Sequence, residues 1–282
     1  MKHQKMLFIF MLLFICFSNL FAQHDLLQGR IYHNWGWRDQ SFSFLPHNRV
    51  EFRIDFSYRA NRPPSRTGTY SIEHKYNVPF LNLYWDDGSR DRYLMLFNDE
   101  ILLLYKDNSI PRWNLRITLD KSKRWVGQGL MIMESITASS TLIEGHLHYA
   151  ATPERLGEHI NRVWAAEGGI GERLYIEFPS RACPHSLIIS TGYVHFSRPY
   201  LFQHNARPKK LRIFNPEDMS RFMDVELEDT PNPQFIDFNT YCDEWINILG
   251  INHRIIIEIL EIFPGTRFNH LCINSILMWS TI

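Results

Sequence analysis

Short segments in which apolar and polar residues alternate recur along this chain and constrain its fold more than any other feature. The clearest is "VEFRIDFSY", in which the apolar positions are Val50, Phe52, Ile54 and Phe56. A period of two places alternate side chains on opposite faces of a β-strand, whereas an amphipathic helix repeats its apolar face about every 3.6 residues. Because little helical periodicity is present, the sequence predicts an all-β protein.

The first half of the chain predicts consecutive β-hairpins. The segments "FLNLYW", "RYLMLF" and "ILLLYK" follow one another and are separated by "DDGS" and "NDE", which suit tight turns. Hairpins with no helix between them usually curl into a small barrel or sandwich. We therefore expect residues 23–120 to form a small antiparallel β meander or barrel domain, with Asp86 and Asp87 as turn residues rather than catalytic acids.

The second half also predicts strands. The segments "RLYIEF", "KKLRIF" and "FMDVELED" alternate in the same way. The run "HRIIIEILEIFPGTRF" has the length of a helix, but its many β-branched residues favour a strand. A polar stretch with two glycines, residues 107–134, indicates a domain boundary near residue 120 and a second domain over residues 121–282.

The N-terminus has the features of an export signal. Lys2 and Lys5 precede an unbroken apolar run from Met6 to Phe17, and a small residue follows at Ala22. As a helix the run would span only about 18 Å, well short of the roughly 30 Å hydrocarbon core of a membrane. We expect residues 1–22 to be a signal peptide. The mature chain is then exported to the periplasm, the cell surface or the medium, with no membrane span.

Charge and cysteine content limit the partners and cofactors. The chain has 30 basic and 30 acidic residues, so its charge does not favour nucleic acid. Cys183, Cys242 and Cys272 would remain after cleavage, and the apolar-rich "LCINSILMW" favours burial of Cys272. His146 and His148 would share a strand face, but no third ligand has a suitable spacing. Neither a metal nor another cofactor is predicted.

Six segments of the second half occur in a telling order: "ITASSTL", "VWAAEGGIGERLYIEF", "TGYVHF", "NARPKKLRI", "VELEDTPNPQFIDF" and "IIIEILEIFPGTRFNHLCINSI". Over roughly residues 134–280 this order resembles the NADase-type glycan-binding domain, a jelly-roll family of the discoidin and galactose-binding-like group. Its most specific pieces are Gly169-Ile170-Gly171-Glu172, Gly192-Tyr193, Asn205 with Arg207-Pro208-Lys209, Asp229-Thr230 and Pro264-Gly265-Thr266. The resemblance implies a jelly-roll β-sandwich that binds a ligand such as carbohydrate and has no chemistry of its own.

The chain departs from the family pattern at several positions. Asn269 and His270 stand where the family usually has an acidic pair after the Pro-Gly-Thr turn, and Ser275 stands where a glutamate follows. Thr191 takes the place of an Asn that commonly precedes Gly192. A role for the carboxylates that the family has at the positions of Asn269, His270 and Ser275, metal binding included, is therefore not carried over to this chain.

The loop "HFSRPYLFQHN" and its surroundings are the candidate ligand site. The candidate ligand-binding residues are Arg198, Tyr200, His204, Asn205, Arg207 and Trp164. Aromatic faces beside hydrogen-bond donors are how concave sites hold small polar ligands. In the alternative interpretation the aromatic residues pin the loop, Asn205 and Arg207 hold its backbone, and Trp164 belongs to the core. Lys210 and Arg212 are expected on a solvated strand face, where the acidic "DVELED" would pair with them.

Three function classes follow from these observations. The leading hypothesis is an exported, non-enzymatic protein whose C-terminal module binds a glycan or another envelope ligand. The alternative is an envelope assembly or adhesion protein that acts through protein–protein contacts. An enzyme with a cryptic site ranks last, because the sequence contains no GxSxG, HExxH or phosphate-binding glycine motif. No catalytic residue is predicted.

The signal peptide gives a first testable prediction. The protein purified from the producing cell is expected to begin near Gln23 and to be found outside the cytoplasm, because the apolar run is too short to persist as a span and is followed by a small residue. N-terminal sequencing measures this directly. Recovery of a chain that still contains Met6 to Phe17 would contradict it.

Overall fold

A computed structural model describes residues 27–34, 39–55, 65–98, 101–107, 113–117, 128–131, 133–157, 159–179, 183–238 and 253–281. Within these ranges the regular structure is almost entirely β-strand, with two helices of four residues each. The all-β prediction is confirmed. No helix in the described ranges has the length and apolar character to cross a membrane. The predicted signal peptide lies outside them.

The first eight strands follow one another around a closed barrel. Their bounds are β1 Ile31–Asn34, β2 Asp39–Leu45, β3 Arg49–Asp55, β4 Arg66–Lys75, β5 Val78–Trp85, β6 Arg90–Phe97, β7 Ile101–Tyr105 and β8 Trp113–Ile117. The alternation predicted from "VEFRIDF" is present in β3, where Val50 and Phe52 are buried. The predicted meander therefore exists, and the barrel closes where β1 pairs antiparallel with β8.

The turn between β5 and β6 explains the neighbouring aspartates. Asp86 accepts two hydrogen bonds from the Arg49 guanidinium, at 2.8 and 3.1 Å. Asp87 accepts one from the backbone amide of Ser89 at 2.8 Å, and Gly88 takes a φ of +83°, which suits glycine. Both carboxylates therefore serve the turn, as the sequence predicts.

The remaining strands form a β-sandwich, apart from two short strands that pair as a separate two-stranded sheet. Their bounds are β9 Gln128–Met131, β10 Ser135–Ala138, β11 Ile143–Glu144, β12 Leu147–His148, β13 Trp164–Ala166, β14 Arg173–Glu177, β15 Cys183–Thr191, β16 Arg207–Asn215, β17 Asp218–Glu226, β18 Gln234–Asp237, β19 Arg254–Phe263 and β20 Leu271–Thr281. One sheet of the sandwich has the order β10-β14-β19-β16-β17, and the other has the order β13-β20-β15-β18 with β9 also paired to β20. Strands β11 and β12 form the separate two-stranded sheet. Helix α1, Pro153–Leu156, and helix α2, Leu201–His204, lie in connections.

The core of the sandwich is built from the inward faces of these strands. The run that could have been a helix is strand β19, in which Ile255, Ile257 and Ile259 are buried and alternate with more exposed residues. These three isoleucines share a buried cluster with residues of both sheets, among them Leu187 and Ile273. The β-branched density of the run therefore predicted its structure correctly.

The chain divides into two compact units. The first contains the described parts of residues 1–72, 81–92 and 115–119, and the second those of residues 73–80, 93–114 and 120–282. Within the second unit, apolar side chains from β5, β6 and β7 pack with side chains of the sandwich in one cluster: Val78, Phe80, Leu94, Leu96, Ile101, Leu103, Tyr105, Ile160, Ile188, Val194, Phe202 and Leu277. The predicted boundary near residue 120 lies outside the described residues, and independent folding of the two halves stays a prediction.

Limited proteolysis of the mature chain is expected to cut first within residues 107–134, where the sequence is polar and contains two glycines, although the structure places strands β8 and β9 in this range. The fragment 121–282 should fold but melt on the order of 10 °C below the mature chain, because it loses apolar partners of Ile188, Val194, Phe202 and Leu277. Circular dichroism melts of both proteins measure the difference. Equal melting temperatures, or no cleavage within residues 107–134, would count against this account.

Candidate functional site

An open cavity of about 370 Å³ lies among the connecting segments of the sandwich. Its lining comes from the β11–β12 hairpin, helix α1, the segment from Gly192 to Asn205 and the loop between β19 and β20. These segments are far apart in sequence and are brought together only by the fold. The cavity is therefore the concave site in which aromatic and polar side chains of the sandwich converge.

The floor of the cavity is apolar. Leu142, Val163, Ala165 and Cys272 form a small buried cluster, and Tyr149 packs against it. Cys272 is buried, as the sequence predicts, and burial raises the pKa of its thiol. A protonated, enclosed thiol is a poor nucleophile, so Cys272 has the character of a packing residue.

The β11–β12 hairpin forms one wall. It turns at Gly145, whose φ is +61°, and carries Glu144 and His148 into the lining. The carboxylate of Glu144 lies 3.9 Å from Nδ1 of His270, which is longer than a hydrogen bond. Burial and the neighbouring Tyr193 and Glu144 raise the pKa of Tyr149 to about 12, so its hydroxyl stays protonated.

The opposite wall begins at a glycine that has no room for a side chain. Gly192 has a φ of +78°, and a Cβ there would lie 2.6 Å from the Phe202 ring and 3.1 Å from the side chain of Arg207. Phe202 is fully buried beneath the loop. Gly192 therefore lets the loop close over Phe202 and places Tyr193 at the cavity.

The side chain of Arg207 holds residues 202–207 of this loop in place. Its Nε and Nη2 donate to the two carboxylate oxygens of Asp229 at 2.6 and 2.9 Å. Its Nη1 donates to the carbonyl oxygens of Phe202 and Asn205 at 2.9 and 2.7 Å. Because a buried charge is tolerated only when it is paired and hydrogen-bonded, this arrangement defines the path of residues 202–207.

Arg198 is held at the cavity by His195. The Nδ1 atom of His195 accepts the backbone amides of Ser197 and Arg198, both at 3.2 Å. The Nη2 atom of Arg198 lies 3.0 Å from Nε2 of the same ring. His195 therefore shapes the turn and orients the guanidinium that lines the cavity.

The loop between β19 and β20 supplies the remaining wall. Gly265 packs so closely on helix α2 that a Cβ would lie 2.7 Å from the carbonyl carbon of Asn205. The amide of Phe268 donates to the carbonyl oxygen of His204 at 2.8 Å. The rings of Phe268 and His270 lie parallel, with centroids 5.9 Å apart. The loop thus presents an aromatic edge to the cavity.

The profile of a family described as "NAD glycohydrolase translocation F5/8 type C domain" matches residues 127–279, more than half of the chain. The chain belongs to this family. The resemblance to a discoidin-like domain predicted from the sequence is therefore confirmed. The motif residues Gly192, Arg207 and Gly265 pack against the segments that line the cavity of the F5/8 type C domain, and Asp229 pairs with Arg207.

Other comparisons add little. No curated protein matches the chain. Two cryo-EM structures of a mutant arabinofuranosyltransferase AftD from Mycobacteria match 55% and 53% of this chain, with TM-scores of 0.32 and 0.31 and identities of 13% and 12%. The chain corresponds to only 12% and 11% of the length of those proteins.

Two of the predicted ligand-binding residues line the cavity of the F5/8 type C domain, namely Arg198 and Asn205. Asn205 also donates from Nδ2 to the carbonyl oxygen of Leu201 at 2.9 Å. Tyr200 lies outside the lining, and its ring contacts those of Tyr76 and His204 at centroid distances of 6.0 and 5.0 Å. The predicted aromatic face of Tyr200 is thus packed against neighbouring rings rather than turned to the cavity.

Of the other predicted residues, Trp164 and Arg207 are buried, whereas His204 is half-buried and lies outside the cavity lining. Trp164 has no exposed surface, and its Nε1 donates to the carbonyl oxygen of Ser140 at 3.0 Å. Arg207 is 5% exposed and fully engaged by Asp229 and the loop carbonyls. The side chains of Trp164 and Arg207 are thus packed as the alternative interpretation of the sequence describes, and a contact of either with a ligand stays a prediction.

Several lining residues were not predicted as ligand contacts: Glu144, His148, Tyr149, Arg155, Tyr193, Phe268 and His270. Two motifs in the sequence could have indicated some of these lining residues. Gly192-Tyr193 and Pro264-Gly265-Thr266 are among the most specific family motifs, and each leads directly into the lining. The hairpin had only the short turn at Gly145 as a signal. Within the described ranges, no group of three or more His, Cys, Asp or Glu residues is placed to hold a metal ion.

The basic strand face follows the sequence prediction. Arg212 pairs in register with Asp224 across β16 and β17, with hydrogen bonds of 2.6 and 2.9 Å. Lys210 lies 3.9 Å from the same carboxylate. These charges neutralise one another at the surface, so the face does not form a basic patch.

Acid is expected to destabilise the F5/8 type C domain through His195. Burial and the positive charge of Arg198 lower the pKa of this ring to about 4. The unfolded chain therefore binds more protons between about pH 6.5 and pH 4, so the stability is complete above this window and is lost as the pH falls through it. At pH 5 the loss from this one group is about 2 kcal/mol.

Melting curves at pH 7 and pH 5 for wild type and His195→Asn measure this effect. Asparagine keeps an acceptor for the amides of Ser197 and Arg198 but does not titrate. Other histidines contribute equally to both proteins, so the difference isolates His195. An equal loss of stability in both proteins would show that His195 does not carry it.

Proposed function

We propose that this chain is an exported binding protein without enzymatic activity, and that its F5/8 type C domain binds a glycan in the cavity. The observation that carries the proposal is the lining, in which aromatic rings stand beside hydrogen-bonding side chains above an apolar floor. A sugar ring has apolar C–H faces and polar hydroxyl edges, and it needs both kinds of contact at once. Concave sites with few, well-placed polar groups fit such ligands.

The aromatic contacts come from two directions. Tyr193 and Tyr149 meet edge to face, with centroids 6.5 Å apart, on the floor side. Phe268 stands in the loop that follows β19 and leans on the rings of His204 and His270. A sugar in the cavity would contact rings of both groups, and each ring contact contributes roughly 0.5–1.5 kcal/mol beyond area burial.

The absence of enzymatic activity is part of the proposal. Among the titratable side chains of the lining, Glu144 and His270 lie 3.9 Å apart and do not form a hydrogen bond. The thiol of Cys272 is buried in the floor of the cavity, and burial raises its pKa. The N-terminal sequence, with Lys2 and Lys5 before the apolar run, supports export. These features favour binding over turnover.

The decisive experiment screens the mature chain, residues 23–282, on a glycan array and in parallel in a pull-down from envelope extract. We expect glycan binding, and we expect Phe268→Ala to weaken it about five- to tenfold, which corresponds to about 1 kcal/mol or somewhat more. Tyr200→Ala is the matched control, since it removes an aromatic ring from the same region but outside the lining. Melting curves of both variants verify folding.

Other outcomes identify the alternatives. If Tyr200→Ala weakens binding and Phe268→Ala does not, the ligand lies on the far side of the loop, as the sequence first indicated. Retention of an envelope protein with no glycan bound favours assembly or adhesion. Release of a cleaved product from the array would reveal an enzyme and overturn the proposal.

A further inference from the structure

The cavity carries an excess of positive charge. Its lining contains two arginines, Arg155 and Arg198, and one carboxylate, that of Glu144. Arg155 comes from helix α1, whose first turn is capped by the side chain of Thr152. The two arginines thus reach the cavity from separate elements.

Arg198 receives no negative charge from its neighbour. A neutral imidazole has one acceptor nitrogen, and in His195 the backbone amides of Ser197 and Arg198 occupy Nδ1. The Nε and Nη2 atoms of Arg198 lie 3.4 and 3.0 Å from Nε2 of the same ring, and the tautomer of His195 decides which group donates. Because burial and Arg198 lower the pKa of His195 to about 4, the ring carries no charge near neutral pH, and an oxyanion in the cavity would meet the full positive charge of the guanidinium.

The positive charges of Arg155 and Arg198 both affect the pKa of Tyr193. Burial raises the pKa of Tyr193, and the positive charges of Arg198 and Arg155 both oppose that rise. The hydroxyl end of Tyr193 therefore lies in the field of both guanidinium groups. Neither arginine forms an ion pair with a carboxylate among the residues that the structure describes.

The basic side chains on the strand faces of the same domain differ from Arg155 and Arg198, because they form ion pairs with carboxylates. Arg173 pairs with Glu258 at 3.0 Å, Lys209 with Glu261 at 2.7 Å, and Arg254 with Glu177 at 2.9 Å. These exposed charges are neutralised locally. The guanidinium groups of Arg155 and Arg198, which have no ion-pair partner among the described residues, instead line a concave, partly apolar site. An arginine in such a site binds a carboxylate through two parallel hydrogen bonds.

From this charge distribution we infer that the ligand of the cavity is an acidic saccharide, whose carboxylate is bound by Arg198 with Arg155 close by. The inference rests on the proposed glycan-binding function and narrows it. The ring of the sugar lies against Phe268 and Tyr193, and its carboxylate points toward the two arginines. Neutral sugars lack the group that would neutralise them.

The test compares ligands that differ only in the acidic group. Methyl β-glucuronide and methyl β-glucoside differ by a carboxylate in place of a hydroxymethyl group, and saturation-transfer NMR or calorimetry with the mature chain measures their binding. We expect the acid to bind about tenfold more tightly in low salt, with the preference falling as salt is added. Arg198→Gln should remove most of the preference.

Lys210→Gln is the matched control, because it removes one positive charge from a strand face outside the cavity. It should leave the preference unchanged, and melting curves confirm that both variants fold. Arg198→Lys should keep part of the preference, since the charge remains without the planar fork.

The possible failures are distinguishable. Equal binding of the acid and the neutral sugar, with no effect of Arg198→Gln, overturns the inference and leaves the proposed function standing. Competition by sodium sulfate that matches the glucuronide also overturns it, because the site would then recognise any small anion. If neither these sugars nor any glycan of the array binds, both the inference and the proposed function fail.

Discussion

The buried guanidinium of Arg207 is the interaction on which the candidate site depends. It lies at the start of β16, is paired with Asp229 and donates to the carbonyl oxygens of Phe202 and Asn205. Without it these carbonyls would lose a charged donor and Asp229 would lose its counter-charge, which makes removal of such a group far more costly than loss of an exposed ion pair. The same group sets the path of the chain that carries Arg198 and Asn205 into the cavity.

Two glycines complete this arrangement by allowing close contact. Gly192 leaves room for the Phe202 ring, and Gly265 allows the β19–β20 loop to lie directly on helix α2. Thr191, which departs from the family pattern, donates to the carbonyl oxygen of Thr230 and so ties this region to the segment of Asp229. The family motifs therefore act mainly on backbone position, and the chemistry of recognition belongs to the side chains between them.

This division explains what the sequence could predict. Strands such as β3 and β19 follow from a local period of two and from β-branched residues, and both were predicted. The roles of Trp164 and Arg207 could not be read locally, because burial depends on which distant strands cover them. The cavity was predicted only through Arg198 and Asn205, since hairpin β11–β12 and Phe268 meet them solely through long-range packing.

The lining can change without disturbing the structure beneath it. Glu144 and His148 stand on a two-strand hairpin of four paired residues, and His270 lies in a loop whose position is set by backbone hydrogen bonds to helix α2. The family pattern has an acidic pair where this chain has Asn269 and His270, and exchanging an acid for a histidine at the cavity removes a negative charge near the arginines. The residues that hold the loops are not those that line the cavity, so substitutions in the lining would change the charge of the cavity and leave the backbone arrangement in place.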